Sequence, residues 1–379
     1  MKKNYRCMKR SNVVLWFFFL PGILFVLIII SNCEKNKNQI DSLSTSYTAF
    51  TVSPIGLDRI SGIVPLGQLN PPAHTLPTRH QYWYTGTISD NIDPNFRALL
   101  YSPGKIWVTK ISETKYEDRE YEYDYCVEFA ICKNITGYFG HVTNLSPALK
   151  NLIANELSTN CDSYSTTTES LTTCTYNVFY KMDAGELIGS VSYYGTIDFG
   201  MDDNNSKLNF ANSSRWSYMV TAVNPLNYFS ADIRKAIEAK VGNWDGSLFR
   251  TTQPIGGTIE YDVVGTAQGT WVIADFDDKI FAESQAVSLV YDNINPSLGA
   301  FSIGNIGTNF DSKVLTFQPQ DSGFINRKFN QVTADGNVYE YQFTEGSIYI
   351  QYLSKGNMII ETGVTFKGAF TNSAICLIR

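Results

Sequence analysis

Histidine is the rarest chemically versatile residue in this chain, and two of its three histidines share one short segment. His74 and His80 fall within Leu66–Thr85, LGQLNPPAHTLPTRHQYWYT, and His141 sits in Tyr138-Phe139-Gly140-His141-Val142. Imidazole acts near neutral pH as a general base, a proton carrier or a metal ligand. So few imidazoles, set among prolines, aromatics and glycine turns, point to a built site rather than to surface decoration. Tyr82-Trp83-Tyr84 follows His80 closely, and aromatic faces pack on sugar rings and peptides without needing a metal. The candidate site residues are therefore His74, His80, Tyr82, Tyr84 and His141. Other chemistries find no support. The chain has no glycine-rich phosphate loop before a helix, no Gly-x-Ser-x-Gly elbow, no Cys-x-x-Cys pair and no His-Glu-x-x-His helix. A Ser-His-Asp triad would have to use one of the same three histidines, and nothing points to its serine.

The elements that must position these residues read as strands. From Tyr121 to Cys132 the chain alternates, with Tyr121, Tyr123, Tyr125, Val127, Phe129 and Ile131 on one face. Glu120, Glu122, Asp124 and Glu128 take the other face, and Cys126 and Cys132 share it. Period two with one apolar face predicts a half-buried antiparallel strand. Further strands are expected at Thr175–Met182, Val287–Tyr291, Ala300–Ile303, Val314–Phe317, Tyr339–Phe343, Ser347–Leu353, Met358–Glu361 and Thr365–Phe370. Ser146-Pro147 opens a short helix to about Leu157, and Ser230 caps a second over Ala231–Val241. Gly-Thr-Trp at Gly269–Trp271 enters a strand through a tryptophan in a way reminiscent of lipocalin-like barrels. Asp292, Asn293 and Asn295 read as backbone-bonding turn residues rather than a calcium loop. The fold class is mainly β: an antiparallel N-terminal β domain, a C-terminal antiparallel meander or small barrel, and few short helices.

Composition limits the partners and the compartment. Lys2, Lys3, Arg6, Lys9 and Arg10 precede an apolar run from Val13 to Ile30 and then Ser31-Asn32-Cys33. That order reads as an export signal, with an uncleaved membrane anchor as the competing reading. Pro21-Gly22 within the run and Cys33 after it resemble a bacterial lipoprotein signal, in which Cys33 becomes the lipidated N-terminal residue. Asn32 departs from the usual small residue there. Without those five bases the balance is 25 basic against 36 acidic residues, a formal −11. Such a chain offers no counterion-release gain to nucleic acid, and its expected contact with membrane is through the acyl anchor. Residues 34–53 are polar and aperiodic and read as a flexible tether. The remaining length suggests two domains, 54–225 and 226–379. Cys161 and Cys174 bracket CDSYSTTTESLTTC, and a disulfide there would contribute roughly 3 kcal/mol in the chain-entropy model. Cys126, Cys132 and Cys376 then leave an odd thiol.

The succession HTLPTRHQYWY, YSPGKIWVTKI, YFGHVTNLSP, DAGELIGSV and TIDFGM resembles lysostaphin-type zinc metallopeptidases, which cleave peptidoglycan cross-links on a duplicated-hybrid-motif β fold. In that family zinc is held by a histidine, an aspartate four residues later and the second histidine of a late His-x-His. A further histidine and the first of the late pair assist the attacking water. Carried over, the resemblance places His80 at the first ligand, Tyr84 at the aspartate, His141 at the catalytic histidine, Thr196 at the second catalytic histidine and Asp198 at the last ligand. Two of the five positions match, and Asp198 still offers a metal-binding group. What the resemblance implies is an envelope protein with a degenerate peptidase-like domain whose metal-free cleft binds a cell-wall peptide, glycan or partner protein. Its alternative is a zinc peptidase with a rearranged ligand set, His74, His80 and Asp198, with His141 catalytic. Leu66–Pro72 followed by His-Thr-Leu-Pro-Thr-x-His, with GTAQGTW and LVYDNINPSLGAFSIGN, also resembles a group of uncharacterised exported bacterial and archaeal proteins. That group joins such a domain to a C-terminal β domain.

Overall fold

Alternating side chains build two antiparallel sheets, and the computed structural model shows how each buries one face. It describes residues 38–379 except 87–95, 118–122, 157, 159, 166–169, 277–282, 308–310, 355 and 364. The signal segment with Cys33, and Tyr121 and Leu157, lie outside the described residues. The first half runs β1 (Gly62–Val64), β2 (His80–Tyr84), β3 (Leu99–Tyr101), β4 (Ile106–Tyr116), β5 (Tyr123–Cys132), β6 (Ile135–Val142), helix α1 (Pro147–Ala154), β7 (Asn160–Ser165), β8 (Ser170–Met182), β9 (Leu187–Ser190), β10 (Thr196–Asp203), β11 (Ala222–Val223) and helix α2 (Ala231–Glu238). Nine of these strands form one sheet, in the order β1-β2-β10-β6-β5-β4-β8-β7 with β11 also on β10. β3 and β9 pair separately.

One face of this sheet is closed by an aromatic core. Phe139 lies 4.7 Å from Phe199 and 5.3 Å from Phe129, while Trp83 sits 5.9 Å from Phe199, and all four are fully buried. In α1 the Ser146 hydroxyl accepts the Leu149 N–H at 3.4 Å, and Leu149 and Ile153 turn into the core. Cys161 and Cys174 face each other across β7 and β8 and are joined by a disulfide.

The first core is larger than residues 54–225. Phe50, within the expected tether, is fully buried; its N–H donates to the Tyr228 carbonyl at 2.8 Å and its ring packs on Phe229. At the other end Leu226, Ile237 and Val241 join the same core, because Ile63 of β1 donates its N–H to the Lys240 carbonyl at 2.9 Å. Helix α2 thus belongs to the first sheet, and it stops at Glu238 with no side-chain cap from Ser230. Cys132 also departs from the sequence expectation. The β5–β6 pairing shifts between Ala130 and Cys132, and that bulge turns the Cys132 thiol from the acidic face into the core.

The second sheet consists of β12 (Gly269–Ile273), β13 (Ala286–Tyr291), β14 (Gly299–Ile303), β15 (Lys313–Phe317), β16 (Tyr339–Phe343), β17 (Gly346–Ser354), β18 (Asn357–Gly363) and β19 (Ile375–Ile378). Its order is β15-β14-β13-β12-β19-β18-β17-β16, antiparallel throughout. It curls until β15 meets β16, with Phe317 and Tyr341 centred 4.9 Å apart, so the barrel is nearly closed. Trp271, Phe301, Phe329 and Tyr341 fill it, as expected of so small a barrel. Thr365–Phe370 is not a strand. Phe366 and Phe370 pack instead near Tyr349 on the outside, and β19 takes the place between β12 and β18. Asp292 accepts the N–H groups of Ile294 and Asn295 through Oδ1, which is the turn chemistry expected of it.

The His-rich stretch is clamped between the two sheets. Leu66 and Leu76 join Phe210, Trp216, Ile259, Val272 and Phe276 in a third apolar cluster. Ser288 donates to the Thr75 carbonyl at 2.9 Å, Asn293 to the Pro65 carbonyl at 3.1 Å, and Leu76 N–H to Glu283 at 2.9 Å. The C-terminal barrel thereby holds the loop that presents His74.

Candidate functional site

The site is the solvent-side face of the first sheet where β2, β10, β6 and β5 run side by side. Gln81 and Trp83 face inward, so His80, Tyr82 and Tyr84 project from the other side of β2. The register sets Asp198 between Tyr82 and Gly140, and Gly200 between His80 and Tyr138. Both glycines make room. A Cβ on Gly140 would lie 3.2 Å from the Asp198 Cβ, and one on Gly200 would lie 2.3 Å from the Tyr138 ring. The Tyr138 ring therefore crosses Gly200, and its hydroxyl hydrogen-bonds His80 Nδ1 at 3.0 Å.

His141 reaches the site by a different device. Simple alternation along β6 would send it to the core beside Phe139. Between the pairs Val127–Phe139 and Tyr125–Val142, however, β6 carries one residue more than β5, and His141 has φ of 58°. This bulge turns the imidazole outward. Its Nδ1 meets Asp124 Oδ2 at 2.6 Å, and its Nε2 lies 3.6 Å from Asp198 Oδ2. His80 Nε2 approaches the same oxygen at 3.4 Å. His74 arrives from the loop, where Asn70 and His74 exchange backbone hydrogen bonds of 2.7 and 2.9 Å. Its ring stands 5.8 Å from His80 and 6.2 Å from Tyr82. All five expected cleft residues and Asp198 are thus brought together.

Sequence reasoning missed the residues that orient them. Asp124 holds His141 and Tyr138 holds His80; Arg79 pairs with Asp202 at 3.0 Å and spreads its guanidinium over the Tyr138 ring at 5.1 Å. Only Asp124 left a signal, as an acid on the outer face of an alternating strand.

The electrostatics separate the histidines. Burial, resisted by Asp198, pushes the His80 imidazole down to about 4, and burial also lowers His74. Burial works against the His141 imidazolium too, but its hydrogen bond to Asp124 and the charges of Asp124 and Asp198 prevail, raising it to about 9. His80 is thus neutral at neutral pH and His141 cationic. Burial and the Asp198 charge push the Tyr82 and Tyr84 phenols upward, keeping them protonated. Of the buried polar side-chain atoms without a hydrogen bond among the described residues, three lie at this site: His80 Nε2, Asp198 Oδ1 and Thr196 Oγ1. Orphans of this kind cost roughly 1–3 kcal/mol each unless a ligand or water engages them.

The donor set bears on the zinc that the family resemblance implies. Catalytic zinc needs three protein ligands and an open position. Here the neutral Nε2 of His80 and the Asp198 carboxylate suit a metal, whereas Tyr84 offers a phenol where the family has a carboxylate. Among the described residues no three His, Cys, Asp or Glu side chains are arranged to hold a metal ion. As placed, His80 and Asp198 supply two of the three ligands such a zinc needs.

Two expectations follow directly. In an NMR titration of the three histidines, His80 should stay neutral down to about 4 and His141 protonated up to about 9. The His141 contribution to stability is complete below the ordinary imidazole value of 6.5 and disappears as pH rises through about 9. The His80 contribution runs the other way: between 6.5 and about 4 the unfolded chain takes up a proton that the folded chain refuses, so acid destabilises. Coincident titration near 6.5 would contradict this geometry. Second, Gly200→Ala should expel the Tyr138 ring and strip His80 Nδ1 of its partner. A cost of about 1–3 kcal/mol is expected in chemical denaturation, together with a shifted His80 resonance.

No protein-family model matches the chain, and no curated protein is similar enough to count as a relative.

Proposed function

We propose that this chain is an envelope lipoprotein, anchored through Cys33, whose sheet-face cleft binds a cell-wall ligand without cleaving it. The observation that carries the proposal is the set of unpaired buried groups, His80 Nε2, Asp198 Oδ1 and Thr196 Oγ1, beside the aromatic wall of Tyr82 and Tyr84. A ligand that donates to the carboxylate and exchanges hydrogen bonds with the imidazole satisfies those groups, while the rings pack against its apolar faces. The inner groups are preorganised: Tyr138 fixes the His80 ring, Asp124 fixes His141, and neither needs to move on binding. The anchor rests on the N-terminal sequence; no helix among the described residues is long and apolar enough to cross a membrane. Any free tether is shorter than residues 34–53, since the Lys133 N–H already donates to the Ser44 carbonyl at 3.0 Å and the Tyr47 ring lies 5.4 Å from Tyr228.

A zinc peptidase with a rearranged ligand set is the second reading, and one observation favours it. Each of His80 and His141 has its Nδ1 held by a neighbour and its Nε2 directed at the same Asp198 oxygen, at 3.4 and 3.6 Å. Outer partners orient metal-binding histidines in this manner, and ligands bound at about 2.0–2.2 Å to one tetrahedral ion stand at comparable separations. Elemental analysis of the Glu34–Arg379 chain beside its His80→Ala variant decides between them. The binding reading expects no stoichiometric zinc even after reconstitution; stoichiometric zinc abolished by the substitution would establish the peptidase reading. The lipoprotein assignment expects a mature N-terminus at Cys33 with an acyl mass shift, both lost in Cys33→Ala.

A further inference from the structure

Resting on the binding reading above, we infer that the ligand is a linear, uncharged glycan that lies along a track from Asp198 to Trp244. Trp244 was not a sequence candidate and has no part in the cup of unpaired groups. It stands 42% exposed at the outer end of the aromatic row, its ring 6.4 Å from Tyr84, which is 6.4 Å from Tyr82, which in turn is 4.7 Å from His80. The row leads without a gap from a solvent-facing indole to the buried imidazole and carboxylate. Its spacings are of the order of one pyranose ring.

The loop that carries Trp244 is locked in place. Gly62 of β1 has no side chain, and a Cβ there would fall 2.0 Å from the Asn243 carbonyl oxygen, so the loop can press directly on the strand. Ser61 Oγ donates to the Trp244 carbonyl at 2.9 Å, and the Leu248 N–H closes the turn on Asn243 Oδ1 at 3.0 Å. With its backbone fixed in this way, Trp244 presents an open indole beside Tyr84, and its face offers a stacking surface.

Three features favour sugar rings over a peptide. β2 is hydrogen-bonded on both sides, to β1 and β10, so it has no free edge on which a peptide could add as a strand. The unpaired groups at the inner end call for partners that both donate and accept, as sugar hydroxyls do. The inner end of the track carries the two carboxylates of Asp124 and Asp198, which disfavours carboxylate-bearing chains, whether peptide termini or uronic acids.

Calorimetric titration of the full-length chain in detergent micelles tests this. The probes are linear β-linked N-acetylglucosamine oligomers of increasing length, the matching uronic-acid oligomers, and the glycan-free stem peptide of peptidoglycan. The expected result is affinity for the neutral oligomers that rises with length until the track is filled, and falls roughly tenfold in Tyr84→Ala and in Trp244→Ala. Affinity that ignores length, or that survives both substitutions, overturns the glycan track. Binding of the stem peptide but not the oligomers, lost in Asp198→Ala, also overturns it while leaving the cleft intact. Binding of any probe that Asp198→Ala leaves unchanged sinks the cleft reading as well.

Discussion

Asp198→Ala is expected to abolish retention on purified cell wall while leaving the protein folded. The carboxylate is the hub of the site: it lies between Tyr82 and Gly140 in register, and both His80 Nε2 and His141 Nε2 approach its Oδ2. Its Oδ1 is buried and unpaired, so it is the acceptor a ligand must satisfy. Hydrogen bonds to a charged group contribute about 1.5–3 kcal/mol, which corresponds to roughly 10- to 100-fold in affinity. Folding should change little. Removing one member of a buried ion pair is severe when it strands the other charge. Here His141 keeps Asp124 at 2.6 Å, and His80 is neutral. The variant should therefore stay within about 1 kcal/mol of the parent in denaturation. The His141 titration should move down from about 9, since one of its two carboxylates has gone. Unchanged retention in Asp198→Ala would remove the site from the binding account.

The largest stability effect is expected in the barrel. Trp271→Ala should destabilise the C-terminal sheet by about 3–5 kcal/mol, as large aromatic truncations in a filled core do. Trp271 is fully buried on β12, which pairs with β13 and with β19, so a cavity there opens between the two arms of the sheet. Its indole N–H donates to the Ala267 carbonyl at 2.9 Å, its ring meets Tyr352 at 5.9 Å, and the Arg379 guanidinium lies 4.0 Å above it. Trp271→Phe keeps most of the volume and loses the hydrogen bond, for about 1 kcal/mol. Because Val272 and Ala286 also enter the cluster that grips Leu66 and Leu76, loosening this sheet should loosen the His74 loop. Denaturant unfolding followed by tryptophan fluorescence and by the His74 resonance reads both effects. Equal losses for the Ala and Phe variants would show that packing is not what Trp271 supplies.

The parts of this fold that were legible beforehand are those governed by local period. The alternation through Tyr125, Val127 and Phe129 marked β5, and Tyr339–Phe343 is β16 to the residue. The strand that puts His80, Tyr82 and Tyr84 on one face, β2, was not read from the sequence, although its residues alternate in burial. What local period cannot encode is a change of phase. The bulge that turns His141 outward and the one that buries Cys132 each add a residue to one strand of a pair, and only the partner strand reveals that. β19 was invisible for another reason: Ile375–Ile378 is short and forms because β12 and β18 leave a place between them. Asp198 was named from a family resemblance, not from its own surroundings, and its meeting with His141, which Asp124 holds from the other side, depends on the β10–β6–β5 register. Trp244 lies in a loop with no pattern at all. Its place beside Tyr84 goes with the close approach of its loop to β1 that Gly62 permits.

Sedimentation with purified peptidoglycan in the presence of a zinc chelator tests the central claim most directly. The parent chain should pellet with the wall and release no soluble fragments, and Asp198→Ala should remain in the supernatant. Loss of retention on chelation, or soluble fragments released when zinc is restored, would contradict it.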